Sequence, residues 1–363
     1  MITLSILLLC CAALSVYLLV ARLYLSGADL SAFDADRGQR FASDRPESPA
    51  IAAAMARLTP SNTPPPGLNK QQRLAFKRDK FNHMFDDLQQ DARFIAVAAG
   101  AIGGEWVLAP GADPARRMLY IHGGGFVVGS PRSHRPITAR MSAACGGAVF
   151  AVDYRLLPEY KRIDGIEDCR AAYRYVLEHG PYGAAPAQKL FVAGDSAGGN
   201  LTLSLLAWAR DQGMRAADAA IAIAPPSDAT WSSPSILRNV DSDYMLGPAI
   251  RIITRLPRSL TLWLNWLSSG IRPNDPLISP VFGDLSGLPP LLVQVSETEM
   301  LYDDARRYVN RARAAGSQVA LQSWNRTLHV WHIFHAELPE AAEAFAEIAR
   351  FIERVAPTHK ATA

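Results

Sequence analysis

Charge of one sign is scarce in this sequence. Thirty-seven Lys and Arg against 34 Asp and Glu leave a formal charge of +3, with no long basic block. A nucleic-acid partner therefore has no electrostatic support. Cysteine is also scarce: Cys10, Cys11, Cys145 and Cys169. None stands in a CxxC pair, so no metal framework is spelled out. Cys10 and Cys11 are neighbours in an apolar run, where a mutual disulfide would be strained. Buried free thiols are expected at Cys145 and Cys169, with a bridge between them as the alternative. No repeat at a fixed period is evident.

The chain has 363 residues, 49% apolar and 20% charged. That suits one large α/β domain with insertions, or two domains. Met1 to Leu25 carries one charged side chain, Arg22, and Ile2 to Ala21 supplies the apolar length of a spanning helix. A cleaved signal peptide would use the small residues Ser26 to Ala28. It would also want a cationic start and a shorter apolar run, so an uncleaved anchor is the expectation. Arg22, Arg37 and Arg40 follow the span and none precedes it, which leans toward a cytoplasmic catalytic domain.

Residues 26–90 read as a polar tether followed by cap helices, the latter offering Leu74, Phe76, Phe81, Met84, Phe85 and Leu88 for burial. From residue 91 the pattern changes. Short apolar runs ("RMLYIHG", "GAVFAVDY", "KLFVAGDS", "AAIAIAPP", "PLLVQVSE", "VALQSW") alternate with helical segments. That alternation predicts a mostly parallel sheet with helices on both faces. The rhythm breaks at about 227–274, which is rich in large side chains, including Trp231, Tyr244, Met245, Trp263 and Trp266. A helical insertion over the carboxyl ends of the strands is expected there. It should form an acyl pocket with Met55 and Phe85 opposite, Phe126, Tyr244, Trp263 and Trp331 being the candidate lining residues.

Three motifs carry chemistry. Gly194-Asp195-Ser196-Ala197-Gly198 fits GxSxG between an apolar strand and a helix. A serine on that turn is strained and exposed, which makes it a candidate nucleophile. His122-Gly123-Gly124-Gly125-Phe126 follows another strand. Unshielded N–H groups of Gly124 and Gly125, with that of Ala197, could stabilise the oxyanion of acyl transfer. A phosphate loop would need GxxxxGK[ST] or GxGxxG, and neither occurs. For a base, "RTLHVWHIFH" offers His329, His332 and His335. No Cys or carboxylate joins them at ligand spacing, so no metal and no cofactor are expected. His329 follows the last strand and its loop, where a base is needed. The acid that orients it should lie after "PLLVQV". Glu297, Glu299, Asp303 and Asp304 are candidates, with Glu299 in the turn itself.

From Arg93 onward, "HGGGF", "DYRLLPE", "GDSAGGN", "DPLISPVFGDLSGLPPLLVQV" and "HVWH" together resemble the hormone-sensitive-lipase family of α/β-hydrolase esterases. The resemblance implies an α/β-hydrolase fold with a helical cap. It implies a triad of Ser196, Glu299 and His329, and an oxyanion hole of Gly124, Gly125 and Ala197. The substrate it implies is a small ester, here with an apolar acyl group. Asp153, Arg155 and Glu159 are implied to brace loops near the site. The family's acid motif, D-P-L-x-D, is replaced by Glu299-Met300-Leu301-Tyr302-Asp303, so the acid carries over as Glu299. "HVW" stands where "HGF" is commoner. A lactone or amide hydrolase would use the same triad. A non-catalytic receptor on this fold would be expected to lose Ser196 or His329.

Overall fold

A computed structural model describes residues 2–41, 49–58, 64–100 and 102–357. The middle of the tether, 42–48, and the start of the Pro-rich break, 59–63, lie outside the described residues. Nine strands form one sheet. In chain order they are β1 (Gln39–Phe41), β2 (Arg93–Ala99), β3 (Ile102–Leu108), β4 (Asp113–Ile121), β5 (Gly147–Val152), β6 (Lys189–Asp195), β7 (Ala219–Ile223), β8 (Leu291–Ser296) and β9 (Val319–Trp324). Their spatial order is β1-β9-β8-β7-β6-β4-β5-β3-β2. Only β3 runs against its neighbours. This is the mostly parallel sheet that the alternation predicts, in the arrangement that the family resemblance implies.

The helices are α1 (Ile2–Val20), α2 (Pro49–Leu58), α3 (Lys70–Asn82), α4 (Arg135–Cys145), α5 (Arg162–Glu178), α6 (Ala197–Asp211), α7 (Ser235–Arg238), α8 (Gly247–Thr254), α9 (Arg258–Ser269), α10 (Tyr302–Ala314) and α11 (Pro339–Val355). Period-two alternation explains the unbroken apolar strands. Leu119 and Ile121 face one core with α5, α6 and α10, while Met118 and Tyr120 face a second core with α4 and α11. Both faces are covered, so most strand positions are apolar and the buried polar exceptions, such as Gln294, are hydrogen-bonded. A fully buried side chain such as Phe191 stabilises by about 1.5–3 kcal/mol. Cys145 and Cys169 are buried on opposite faces of the sheet and are unbridged.

The tether departs from expectation. Its end pairs with β9 as a parallel edge strand, Phe41 opposite Trp324. The rings of that pair stack at 4.2 Å. Asp34 accepts from the buried Arg307 at 2.7 Å, and Arg40 is bidentate on Glu297. A polar, aperiodic segment can thus be held by side-chain contacts that no periodicity reports.

α1 is the one helix among the described residues long and apolar enough to cross a membrane. Most of its side chains are exposed. Its end packs, with Tyr17 stacked on Trp263 at 5.7 Å, and so does the turn that follows it, with Ala21 and Leu25 buried against α9.

Candidate active site

β4, β6, β8 and β9 end at the same edge of the sheet, and each hands the chain to a loop that carries chemistry. Ile121 pairs with Gly194, so the glycine loop leaves beside the Ser196 turn. Ser296 pairs with Trp324, so the acid turn and the histidine loop leave together.

Ser196 sits at φ 49°, ψ −119°. That region strains any residue with a Cβ by about 1–3 kcal/mol. The turn is held by the Ser196 N–H, which donates to Ile223 O at 2.7 Å. Close approach explains Gly198: a Cβ there would be driven into the carbonyl oxygens of Ile121 and His122. Gly198→Ala is therefore expected to cost about 1–3 kcal/mol of stability by overpacking, read as a lowered Tm.

Ser196 Oγ lies 2.9 Å from His329 Nε2. His329 Nδ1 lies 3.4 Å from Glu299 Oε1, both groups being buried. That is long for a hydrogen bond, yet neither atom has another partner among the described residues. Such pairs commonly shorten when a ligand fills the site. Burial pushes the Glu299 carboxyl above the ordinary glutamate value, against the opposing pull of His329. Burial alone would lower the imidazole of His329. The charge of Glu299 and its hydrogen bond outweigh that and raise it.

The other acid candidates are committed elsewhere. Glu297 accepts from Arg40 and Ser323. Asp303 pairs with Arg306 at 2.8 Å and accepts from Ser235 N–H. Asp304 accepts from the N–H groups of Ser227 and Asp228. The insertion clamps the acid turn: Asn239 donates to the carbonyls of Glu297 and Glu299, and Asp243 accepts from Met300 N–H. His332 is turned into the core against Gln294, and burial pushes it down to about 3.

Gly124 and Gly125 line the same cavity as Ser196 and His329. Among the described residues nothing accepts from the N–H groups of Gly124, Gly125 or Ala197. Asp195 ties the two loops together, accepting from Tyr120 hydroxyl at 2.6 Å and from Gly123 N–H at 3.1 Å. Its other oxygen is 3.4 Å from His134 Nε2. Burial would raise Asp195, but His134 and Tyr120 outweigh it and leave it low.

The geometry lines up a serine hydroxyl, an imidazole and a carboxylate beside N–H groups that have no acceptor among the described residues. A family model described as alpha/beta hydrolase fold matches residues 118–333. The chain belongs to the α/β-hydrolase family. Within it, an acetyl-hydrolase of Streptomyces hygroscopicus is 38% identical over 70% of this chain and 81% of that protein. An esterase of Acinetobacter venetianus is 31% identical over 70% of this chain and 80% of that one. A crystal structure of an esterase from the bacterial hormone-sensitive lipase family superposes with TM-score 0.72, 32% identity, and coverage of 86% of this chain and 99% of that one. An esterase/lipase from an uncultured bacterium gives TM-score 0.71 at 35% identity, covering 85% and 98%. This α/β hydrolase is thus of the hormone-sensitive-lipase type, as the motifs imply.

The expected pocket residues of this α/β hydrolase need correction. The cavity of about 260 Å³ beside Ser196 is walled by Phe81, Met84, Phe85, Met245, Leu246 and Phe334, among others. Phe85 faces it as expected; Met55 is not among its lining residues. Nor are Phe126, Tyr244, Trp263 and Trp331. Trp263 is spent on α1, stacking on Tyr17 and donating to its carbonyl. Trp331 is fully buried against Trp324, its indole donating to Glu340 O. Tyr244 is 47% exposed, although the next two residues turn inward. Phe126 lines a different cavity. His134, which no motif singles out, lines the site and touches Asp195. Arg78 on α3 donates to Val127 O and pairs with Glu159, which holds the cap helix against the glycine loop. Arg155 braces α5 instead, through Asp168.

Proposed function

We propose that this chain is a serine carboxylesterase in which Ser196, His329 and Glu299 hydrolyse esters with short apolar acyl groups. The observation that carries this reading is the 2.9 Å contact between Ser196 Oγ and His329 Nε2 at a strained turn that lines the cavity. Ser196 Oγ attacks the ester carbonyl as its proton passes to Nε2. The oxyanion that forms accepts from the N–H groups of Gly124, Gly125 and Ala197, each worth about 3 kcal/mol. The imidazolium is stabilised by Glu299 and returns the proton to the departing alkoxide. An acyl-enzyme remains, and water repeats the sequence in reverse roles. A panel of p-nitrophenyl esters of increasing acyl length tests it, with a burst of p-nitrophenol as the sign of the acyl-enzyme.

The acyl group is assigned to the cavity of about 260 Å³, at the small end for ligand sites. Phe85 is a buried wall of that cavity, its ring 5.8 Å from Phe334. Phe85→Ala should raise the ratio of octanoate to acetate turnover by about 10-fold, the scale of a few methylenes in an apolar pocket. An equal loss at every acyl length would assign Phe85 to folding instead.

α1 is assigned to a membrane as a retained anchor, with the catalytic domain on the cytoplasmic side. Its exposed Leu4, Leu7, Leu8 and Leu9 suit lipid. The packing of Tyr17, Ala21 and Leu25 on α9 supports retention. Deleting residues 1–28 should release an active soluble enzyme. A mature chain beginning at Asp29 would identify a signal peptide instead.

A further inference from the structure

Phe126, next to Gly125 in the chain, lines a second cavity of about 480 Å³ between the start of α5, the first turn of α6 and α9. Its lining contains Lys161 and Arg162 and no carboxylate. Arg162 is 9% exposed, and its guanidinium carbon stands 3.4 Å over the Phe126 ring. Its Nη2 donates to Asn200 Oδ1 at 2.6 Å. Asn200 is neutral, and its own amide is used by Pro226 O and Ile278 O. Among the described residues no acid lies within ion-pair distance of Arg162. The nearby Tyr154 and Cys169 are held neutral by burial. Burial lowers Arg162 to about 10, so it stays charged at neutral pH.

A buried cation without a counter-ion is costly, and proteins normally pair it. Here the remaining N–H groups of its fork have no acceptor among the described residues, and beside them is a cavity. The opposite walls are Leu157, Pro158 and Ile278, with Asn265 and Ser269 from α9. A planar fork of donors matches an oxyanion in bidentate fashion. Apolar walls want an apolar body behind it. We infer that this cavity is a binding site for a small carboxylate with a short apolar chain, its carboxylate on Arg162 and its chain against Phe126, Leu157 and Ile278. Free phosphate shares the oxyanion chemistry but leaves those walls unfilled.

The test is thermal unfolding of the full-length protein in detergent, titrated with butyrate, inorganic phosphate or the neutral isostere butyramide. Butyrate should raise Tm saturably, by about 3–5 °C at a hundredfold excess over Kd, and butyramide should not. Arg162→Met should abolish the rise. Asn265→Leu, which fills the cavity from α9 and leaves Arg162 in place, should abolish it too and covers the case in which Arg162→Met fails to fold. No rise with butyrate would overturn the assignment. So would a rise with phosphate alone, or one that persists in Asn265→Leu, since butyrate would then be binding elsewhere, as in the cavity beside Ser196.

Discussion

Replacing Ser196 by alanine is expected to lower kcat by about 10⁵–10⁶ and to abolish labelling by a fluorophosphonate. The size follows from chemistry: without Oγ no acyl-enzyme can form, and His329 has no proton to take. The protein should remain folded. Alanine keeps the Cβ that already tolerates φ 49°, and the backbone bond from residue 196 to Ile223 O is untouched. Activity should not fall to zero, because the N–H groups of Gly124, Gly125 and Ala197 can still polarise a bound ester for attack by water. Undiminished labelling of Ser196→Ala would move the nucleophile to another residue and sink the mechanism. Loss of labelling with loss of the folded state would point to the turn rather than the hydroxyl, so Tm belongs in the same experiment.

The strands, the glycine loop and the serine turn were legible because they rest on local rules. An unbroken apolar strand is buried on both faces, and a strained turn needs glycines where backbones meet. The pocket was not legible in the same way. Its walls come from the end of α3, the α7–α8 loop and the turn after His329, which are far apart in sequence. Large apolar side chains in the 227–274 insertion could satisfy burial in either of two ways, against a ligand or against another helix. Trp263 and Trp266 take the second course and pack on the end of α1. Trp331 takes it as well. A left-handed backbone at Val330 (φ 51°) turns the helical positions that follow, leaving Ile333 and Phe334 toward the site and the indole toward Trp324. Arg162 carried no signal at all, since an arginine at a helix start reads as a surface residue. Only three-dimensional burial distinguishes it.

Glu299→Gln is expected to lower kcat by about 10⁴ while leaving the fold intact, the scale set when such an acid is replaced by its amide. The amide has nearly the shape of the acid, so the clamp from Asn239 and Asp243, which acts on the backbone of the turn, is preserved. What is lost is the charge that favours the imidazolium and the acceptor that selects the Nδ1–H tautomer. A pH profile separates this role from a packing role. The base must be neutral to take the proton of Ser196. Because His329 is raised, kcat/KM of the parent enzyme should fall as pH drops through a value above 6.5. In Glu299→Gln the raising charge is gone and burial, which lowers the imidazole, acts unopposed by it. The acid limb should therefore move to lower pH while the plateau collapses. Glu297→Gln weakens a pair with Arg40, whose side chain is half exposed, and the contact with Ser323, neither of which reaches His329, and should leave both limb and plateau in place. Asp303→Asn uncouples a buried pair with Arg306 and should cost stability without shifting the limb. A Glu299→Gln enzyme with near-normal kcat, alongside a collapsed plateau in Glu297→Gln or Asp303→Asn, would transfer the acid's role to one of those residues.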